Sequence, residues 1–141
     1  MAKHTGSCQC GDITYEIGAD PLFSGHCSCL DCQKASGTGH STIVAFPLAA
    51  LKVNGVTTRY TAPGGSGNDV TREFCPRCGS RLFSHSATGR GAVMVSASSL
   101  DDQSIVKPMA AIFQRSKAPW DHINPALPSF QETPPGPPPG A

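Results

Sequence analysis

The segment "HCSCLDC" (His26–Cys32) contains three cysteines, Cys27, Cys29 and Cys32, within six residues. Two further pairs lie in "GSCQCGD" and "FCPRCGS": Cys8 with Cys10, and Cys75 with Cys78. A tight turn can bring two such sulfurs to about 2.3 Å from one zinc ion, and a second pair completes the tetrahedron. The spacing therefore predicts metal binding. It also raises a question, because the first segment offers three ligands where a tetrahedron needs four.

The cysteine count argues against a disulfide-bonded protein. Seven cysteines cannot all pair, and the stretch "MAKHTGSCQCGD" lacks the hydrophobic run of a signal peptide. We therefore expect the chain in the cytosol, where thiols stay reduced. Metal ligation is the interpretation that fits these residues best.

Length and charge limit the remaining possibilities. The 141 residues suit one domain, expected over residues 1–130, with a Pro/Gly-rich disordered tail over 131–141 that is alternatively a ligand for a proline-recognising domain. The formal net charge is +1 and the basic residues are scattered, so we expect neither a nucleic acid nor a membrane as partner. No apolar run approaches the roughly 20 residues that span a bilayer. The sequence predicts no particular oligomeric state.

Alternating apolar residues predict a mainly β fold. In "DITYEI", Ile13, Tyr15 and Ile17 fall on one face of a strand. Further short strands are predicted in "STIVAF", "LKV", "VTTRYT", "VTREF", "RLFSH" and "AVMVSAS". One short helix is predicted from Cys29 to Ser36, with Gly37 just past its C-terminus.

Glycines indicate which cysteine clusters share an ion. Cys10 is followed by Gly11 and Cys78 by Gly79, whereas no glycine follows Cys32. A turn that wraps its amides around a metal-bound sulfur often requires positive φ after the second cysteine, and glycine adopts positive φ without penalty. The sequence therefore predicts a closed four-cysteine site that holds a structural zinc: Cys8, Cys10, Cys75 and Cys78.

The remaining cysteines would form a three-cysteine site: Cys27, Cys29 and Cys32. Three protein ligands with one open position is the pattern of catalytic zinc. A local residue can instead close the site, and the candidates are His26, Asp31 and His40, of which His40 has the best reach. The thiols can also remain metal-free, as buried or redox groups.

Four segments together resemble the glutathione-dependent formaldehyde-activating enzyme and centromere protein V family: "GSCQCG", "HCSCLDCQKASGTGHSTIVAF", "REFCPRCGSRLF" and "DDQSIVKPMAAIFQRSKAPW". The resemblance implies a β-tent type of fold, with several small coiled antiparallel sheets stabilised by zinc. It also implies a relation to the B-type methionine sulfoxide reductases and to a Rab-GTPase chaperone. In the family, the CxC and final CxxC share a structural zinc and the central CxCxxC holds a catalytic one, which gives two Zn²⁺ per chain.

The activity implied by the resemblance is the condensation of formaldehyde with glutathione to S-hydroxymethylglutathione, a reversible carbon–sulfur lyase reaction. The partners would be a small thiol and a small aldehyde. A zinc that holds three thiolates has a formal charge of −1 and little power left as a Lewis acid, so the substrate's own sulfur is the expected fourth ligand. The alternatives are a non-enzymatic zinc-binding interaction module and a methionine sulfoxide reductase, which is disfavoured because every cysteine lies in a cluster.

Several residues near the cysteines are candidates for substrate contacts. A cation would offset the charge of a bound thiolate, and Lys34, Arg72 and Arg77 are available for this. Ser36 and Gly37 match a hydroxyl-then-glycine step that often follows the third cysteine in the family, with helix termination as their alternative role. Where the family frequently has a basic residue directly after the third cysteine, this chain has glutamine.

Overall fold

A computed structural model describes residues 2–134 of the chain. Within them the chain forms ten β-strands and one α-helix: β1 His4–Ser7, β2 Thr14–Ile17, β3 Phe23–Cys27, α1 Leu30–Ser36, β4 Ser41–Pro47, β5 Leu51–Asn54, β6 Thr58–Pro63, β7 Asp69–Phe74, β8 Arg81–Ser86, β9 Ala92–Ser96 and β10 Ala111–Ile112. Short 3-10 turns cover Leu48–Ala50, Ala97–Ser99, Gln103–Ile105 and Gln114–Ser116. Strands account for 38% of the residues and helix for 14%, which confirms the predicted mainly β class.

The strands of the described residues form two sheets. The smaller has the order β1-β2-β5 and the larger the order β10-β3-β4-β9-β8-β7-β6. Neighbours are antiparallel except for the parallel pair β10 and β3. In the pairing of β3 with β4, Cys27 lies opposite Ser41. The end of β3 therefore brings the first cysteine of the three-cysteine site beside the start of β4.

The hydrophobic core lies between the two sheets. Ile13, Tyr15 and Ile17 are at most 1% exposed, as the alternation predicts, and they pack with residues of β4, β8 and β9. Cys8 and Cys75 belong to the same buried cluster. The connection between β1 and β2 thus meets the connection between β7 and β8 inside the core, where the four-cysteine site is expected.

Helix α1 agrees with the predicted element apart from its first residue. Cys29 precedes the helix as its N-cap, and its sulfur accepts a hydrogen bond from the Cys32 amide at 3.3 Å. Gly37 ends the helix in the left-handed conformation, with φ of 73°, because a residue without Cβ enters that region freely.

Strands β1, β3 and β10 are absent from the sequence-based prediction. Strand β3 reads "FSGHC" and has no alternation of large apolar residues. It forms because β4 and the distant strand β10 pair with it on either side. Next to β10, the His26 amide donates to the Ala110 carbonyl at 3.0 Å. A Cβ on Gly25 would lie 3.1 Å from that same carbonyl, so glycine permits this close approach.

The C-terminal segment returns to the edge of the larger sheet. The Arg115 amide donates to the Gln131 carbonyl and the Phe113 amide to the Glu132 carbonyl, at 3.3 and 3.0 Å. These bonds hold the first two residues of the predicted tail against the domain, and residues 135–141 of that tail lie outside the described residues. No helix within residues 2–134 is long and apolar enough to cross a membrane.

Candidate metal centres

The structure brings together the four sulfurs predicted to share one ion. The Sγ atoms of Cys8, Cys10, Cys75 and Cys78 all lie within 4.8 Å of one another. Cys10 Sγ lies 3.6 Å from Cys8 Sγ and 3.7 Å from Cys75 Sγ. Four sulfurs at about 2.3 Å from a tetrahedral zinc are about 3.8 Å apart, so this group fits a zinc ion.

Tight turns present these four sulfurs, and both glycines behave as predicted. Gly11 and Gly79 have φ of 84° and 77°, and the Gly79 amide closes its turn on the Cys75 carbonyl at 2.9 Å. The backbone amides of Ile13 and Arg77 donate to the sulfurs of Cys8 and Cys75 at 3.3 and 3.4 Å. Amide donors of this kind stabilise thiolate over thiol, which favours metal binding.

Two thiols of the four-cysteine site have pKa values shifted in opposite directions. The Ser80 hydroxyl and the Ser80 amide lower the pKa of Cys78 to about 5. The Asp12 amide favours the Cys10 thiolate, but burial and the neighbouring sulfurs outweigh it and raise the pKa of Cys10 to about 12. A metal ion that needs all four thiolates must therefore displace protons as it binds.

The three-cysteine site is built locally around the start of α1. The sulfurs of Cys27, Cys29 and Cys32 lie within 4.8 Å of one another, with Cys32 8% exposed and the other two half-buried. Cys27 ends β3, Cys29 caps α1 and Cys32 lies in its first turn. The chemistry of three thiolates fits a zinc ion that keeps one position for another ligand.

Gln33 fixes the loop that carries these three sulfurs. Its side-chain amide donates to the Ser28 carbonyl and to the Ser116 carbonyl, both at 2.8 Å. Ser28 is fully buried, and its hydroxyl accepts a second amide, that of Gln114, at 2.9 Å. Gln33 therefore ties the cysteine loop to the C-terminal part of the chain.

The electrostatics of the three-cysteine site favour one thiolate at its buried end. Hydrogen bonds from the Cys27 and Cys29 thiols lower the pKa of Cys32, and the Ser41 hydroxyl and the Arg81 charge add to this effect. Its own hydrogen bonds with the Cys29 and Cys32 sulfurs raise the pKa of Cys27. Within the cluster these effects favour a thiolate on Cys32 over one on Cys27.

Within the described residues, none of the three predicted closing ligands joins these sulfurs. Asp31 is exposed on α1. His26 Nδ1 lies 2.8 Å from the Thr42 hydroxyl, and His40 Nδ1 lies 2.7 Å from Asp121 Oδ2. These contacts involve Nδ1 only, but neither ring places a nitrogen within 4.8 Å of all three sulfurs, so the fourth position has no protein ligand among the described residues.

A cavity of about 750 Å³ lies between the two cysteine sites, and Cys8 lines it, whereas Cys27, Cys29 and Cys32 are not among its described lining residues. Cys8, Gly79 and Ser80 line it from the four-cysteine side, and His40 and Ser41 from the three-cysteine side. Nine of its 17 described lining residues are serine or threonine. A cavity with this lining suits a small, polar ligand.

Of the predicted substrate contacts, Ser36 lines this cavity, whereas Lys34 and Gly37 are not among its lining residues. Lys34 is exposed in the last turn of α1 and Gly37 is the C-cap, so their predicted contact with substrate stays a prediction. Arg77 is exposed and pairs with Asp12 at 3.1 Å. Arg72 does not line the cavity either.

The cation near the cavity is Arg81, not one of the predicted residues Lys34, Arg72 and Arg77. Among the described residues that line the cavity, it is the one lysine or arginine. Its Nε is buried and has no hydrogen-bond partner among the described residues. The residue follows "FCPRCGS" directly and pairs with Phe74 at an irregularity between β7 and β8, yet its charge acts on Cys32 of the other cysteine cluster.

Two comparisons with known proteins accord with this arrangement. A family model described as "Glutathione-dependent formaldehyde-activating enzyme" matches residues 3–116, a range that contains all seven cysteines. A crystal structure of a Rhodobacter sphaeroides protein, a structural genomics target, is 18% identical and covers 89% of this chain and 98% of that chain, with a TM-score of 0.55. The family match confirms the resemblance read from the cysteine motifs, and the structural likeness shows the fold.

Proposed function

The chain belongs to the glutathione-dependent formaldehyde-activating enzyme family, and on that premise we propose that it is a zinc-dependent carbon–sulfur lyase. It would join a small thiol to a small aldehyde as an S-hydroxymethyl-type adduct and catalyse the reverse step. Glutathione and formaldehyde are the first pair to test, because the family is one of formaldehyde-activating enzymes. Each chain would hold two Zn²⁺, one in each cysteine site.

One observation carries the proposal: the three-cysteine site has no fourth protein ligand among the described residues, and Ser41, which lies opposite Cys27 in the sheet, lines a polar cavity. Ser41 and Arg81 line the cavity, and both act on the Cys32 sulfur. The volume of about 750 Å³ lies within the range of roughly 300–1,000 Å³ that is usual for small-molecule sites. A thiol in this cavity would reach the open position.

A zinc ion bound there would favour the thiolate form of the substrate and keep its sulfur nucleophilic. The protein's own groups would bind and orient the substrate. Arg81 would attract an anionic thiol, because it is the one lysine or arginine among the described residues that line the cavity. The hydroxyls of Ser36, Ser41 and Thr42 would hydrogen-bond its polar groups. Holding sulfur and aldehyde together would supply the proximity that a bimolecular step lacks.

Cobalt substitution tests whether a thiol enters the open site. Cobalt-loaded protein should show two thiolate-rich centres, and added glutathione should change the absorption of one of them. S-methylglutathione, which has no thiol, is the matched control and should change nothing. The Cys29→Ser variant should lose the glutathione response while the absorption of the four-cysteine site remains.

Exchange between free formaldehyde and the thiol adduct, followed by NMR with ¹³C-labelled formaldehyde, tests the reaction itself. The zinc-loaded protein should accelerate exchange over the rate without protein, and Cys29→Ser should abolish the acceleration. If no small thiol alters the cobalt spectrum and exchange is not accelerated, the lyase proposal is wrong. The non-enzymatic interaction module would then be the better account of the chain.

A further inference from the structure

A histidine–carboxylate pair lies at the edge of the same cavity. His40 lines the cavity, and its Nδ1 lies 2.7 Å from Asp121 Oδ2. The side chain of Asp121 is only 8% exposed and that of His40 is 20% exposed. The two residues are 81 positions apart in the sequence, so the fold creates the pair.

The carboxylate fixes which nitrogen of the ring is free. An ionised carboxylate only accepts hydrogen bonds, so Nδ1 must carry a proton, and in the neutral ring Nε2 then has the lone pair. Nε2 has no hydrogen-bond partner among the described residues, and it is not one of the buried side-chain atoms without a partner. This nitrogen is therefore accessible to solvent and free to exchange a proton with a ligand.

The surroundings hold the pair in place. A Cβ on Gly39 would lie 2.3 Å from Asp121 Cγ, so the carboxyl group occupies the space that any other residue at position 39 would fill. The His26 ring meets the His40 ring edge to face at 4.8 Å, and His26 is itself held by Thr42. Within residues 2–134, Asp121 and His26 are thus the titratable groups that contact His40, and Cys8, Arg81 and Asp101 are the others in the cavity lining.

The proposed reaction needs a proton donor near the aldehyde oxygen. Attack of a thiolate on an aldehyde forms the C–S bond, and the C=O π electrons move to oxygen as an alkoxide. A zinc that carries three thiolates is a weak Lewis acid, so the alkoxide needs another source of stabilisation. A general acid that protonates the oxygen supplies it.

We propose that His40 is the general acid–base of the thiol–aldehyde reaction and that Asp121 is its positioning residue. The inference rests on the proposed function. Nε2 takes the proton of the entering thiol, the thiolate attacks the aldehyde carbon, and the imidazolium returns the proton to the alkoxide. The sum is RSH + CH₂O → RSCH₂OH, with no further reactant. In the reverse direction neutral Nε2 takes the hydroxyl proton while the C–S bond breaks and C=O re-forms.

The test compares exchange rates at saturating thiol with thiol affinity from the cobalt titration. General acid–base catalysis contributes about 10²–10⁴-fold, so His40→Ala should lower the exchange rate by about that factor while the cobalt response to glutathione stays native. Added imidazole should partly restore the rate of His40→Ala, which a purely structural role for the ring does not predict. Asp121→Asn and Gly39→Ala should lower the rate in the same direction, because each removes the carboxylate from Nδ1.

A second histidine–carboxylate pair provides the matched control. His85 Nε2 lies 3.2 Å from Glu73 Oε2, and neither residue lines the cavity between the cysteine sites. His85→Ala should keep the native exchange rate. His40→Gln, which retains a polar side chain, replaces His40→Ala if the alanine variant does not fold.

The outcomes separate the two proposals. If the native protein accelerates exchange and folded His40→Ala or His40→Gln exchanges at the native rate, the role of His40 is refuted and the lyase function stands. An unchanged rate in Asp121→Asn refutes the positioning role. If the native protein does not accelerate exchange and no thiol binds, the function fails and the inference fails with it.

Discussion

Replacing Gln33 by alanine is expected to weaken metal binding at the three-cysteine site without touching any of its ligands. The Gln33 amide donates two hydrogen bonds of 2.8 Å, one to the Ser28 carbonyl and one to the Ser116 carbonyl. A hydrogen bond of this kind contributes about 0.5–1.5 kcal/mol, so the loss of both costs about 1–3 kcal/mol. Ser28 lies between Cys27 and Cys29, and the cost therefore falls on the loop that must present three sulfurs together.

The expected loss of affinity follows from that range. If the bonds are made only when the loop is ordered around metal, about 1–3 kcal/mol corresponds to a five- to 150-fold higher Kd for metal. Residues that support metal ligands without contacting the ion typically affect metal affinity by about 10- to 100-fold, which agrees.

Competition between the protein and a chromophoric chelator for cobalt measures this Kd. Gln103→Ala is the matched control, because it removes an exposed glutamine amide with one long bond of 3.4 Å, to the Ser98 carbonyl. Cobalt absorption from the four-cysteine site should be native in both variants. A Gln33→Ala protein whose three-cysteine site binds cobalt with native affinity would refute the argument that these two bonds order the loop.

Three further predictions concern the core and the four-cysteine site. Cys75→Ser should leave the protein largely unfolded by circular dichroism. Structural zinc contributes about 10–16 kcal/mol, and the whole free energy of unfolding of a domain is about 5–15 kcal/mol. A native thermal transition would contradict this. Gly79→Ala should lower the free energy of unfolding in urea by about 1–2 kcal/mol, because a φ of 77° strains alanine even though no atom lies within 4 Å of the added methyl. An unchanged urea midpoint would contradict this. Burial raises the pKa of Tyr15 to about 12, so the unfolded chain loses this proton first and stability should fall as pH rises from about 10 to 12. Tyr15→Phe should lower stability at neutral pH by about 1 kcal/mol, through its bond to Ser99, and should show less of that alkaline fall.

Local patterns in the sequence were sufficient for the features that depend on neighbouring residues. The burial of Ile13, Tyr15 and Ile17 follows from alternation along one strand. The positive φ of Gly11 and Gly79 follows from the geometry of turns around a bound sulfur, which needs a residue without Cβ. The closeness of the two outer cysteine pairs could be read from the same glycines.

Features that depend on residues far apart in the chain could not be read in this way. Strand β3 forms through its pairing with β4 on one side and with β10 on the other, and "FSGHC" carries no pattern of its own. Arg81 acts on Cys32 through its charge although the two residues are far apart in the sequence, whereas Lys34 is near in sequence but exposed on the helix. The pairing of His40 with Asp121 has a single local signal, the small residue Gly39, and nothing in the sequence indicates its partner.

The two cysteine sites differ in how much of the chain must exist before each can form. Cys10 and Cys75 are 65 residues apart, so a nascent polypeptide cannot assemble the four-cysteine site until the seventh cysteine has left the ribosome. The ligands of the three-cysteine site emerge together, within six residues, while most of the chain is still unmade. A cell that supplies zinc during translation would therefore first meet the proposed reaction site, exposed and without its cavity. The four-cysteine site would become available only later, when β8, β9 and β10 still follow it in the chain.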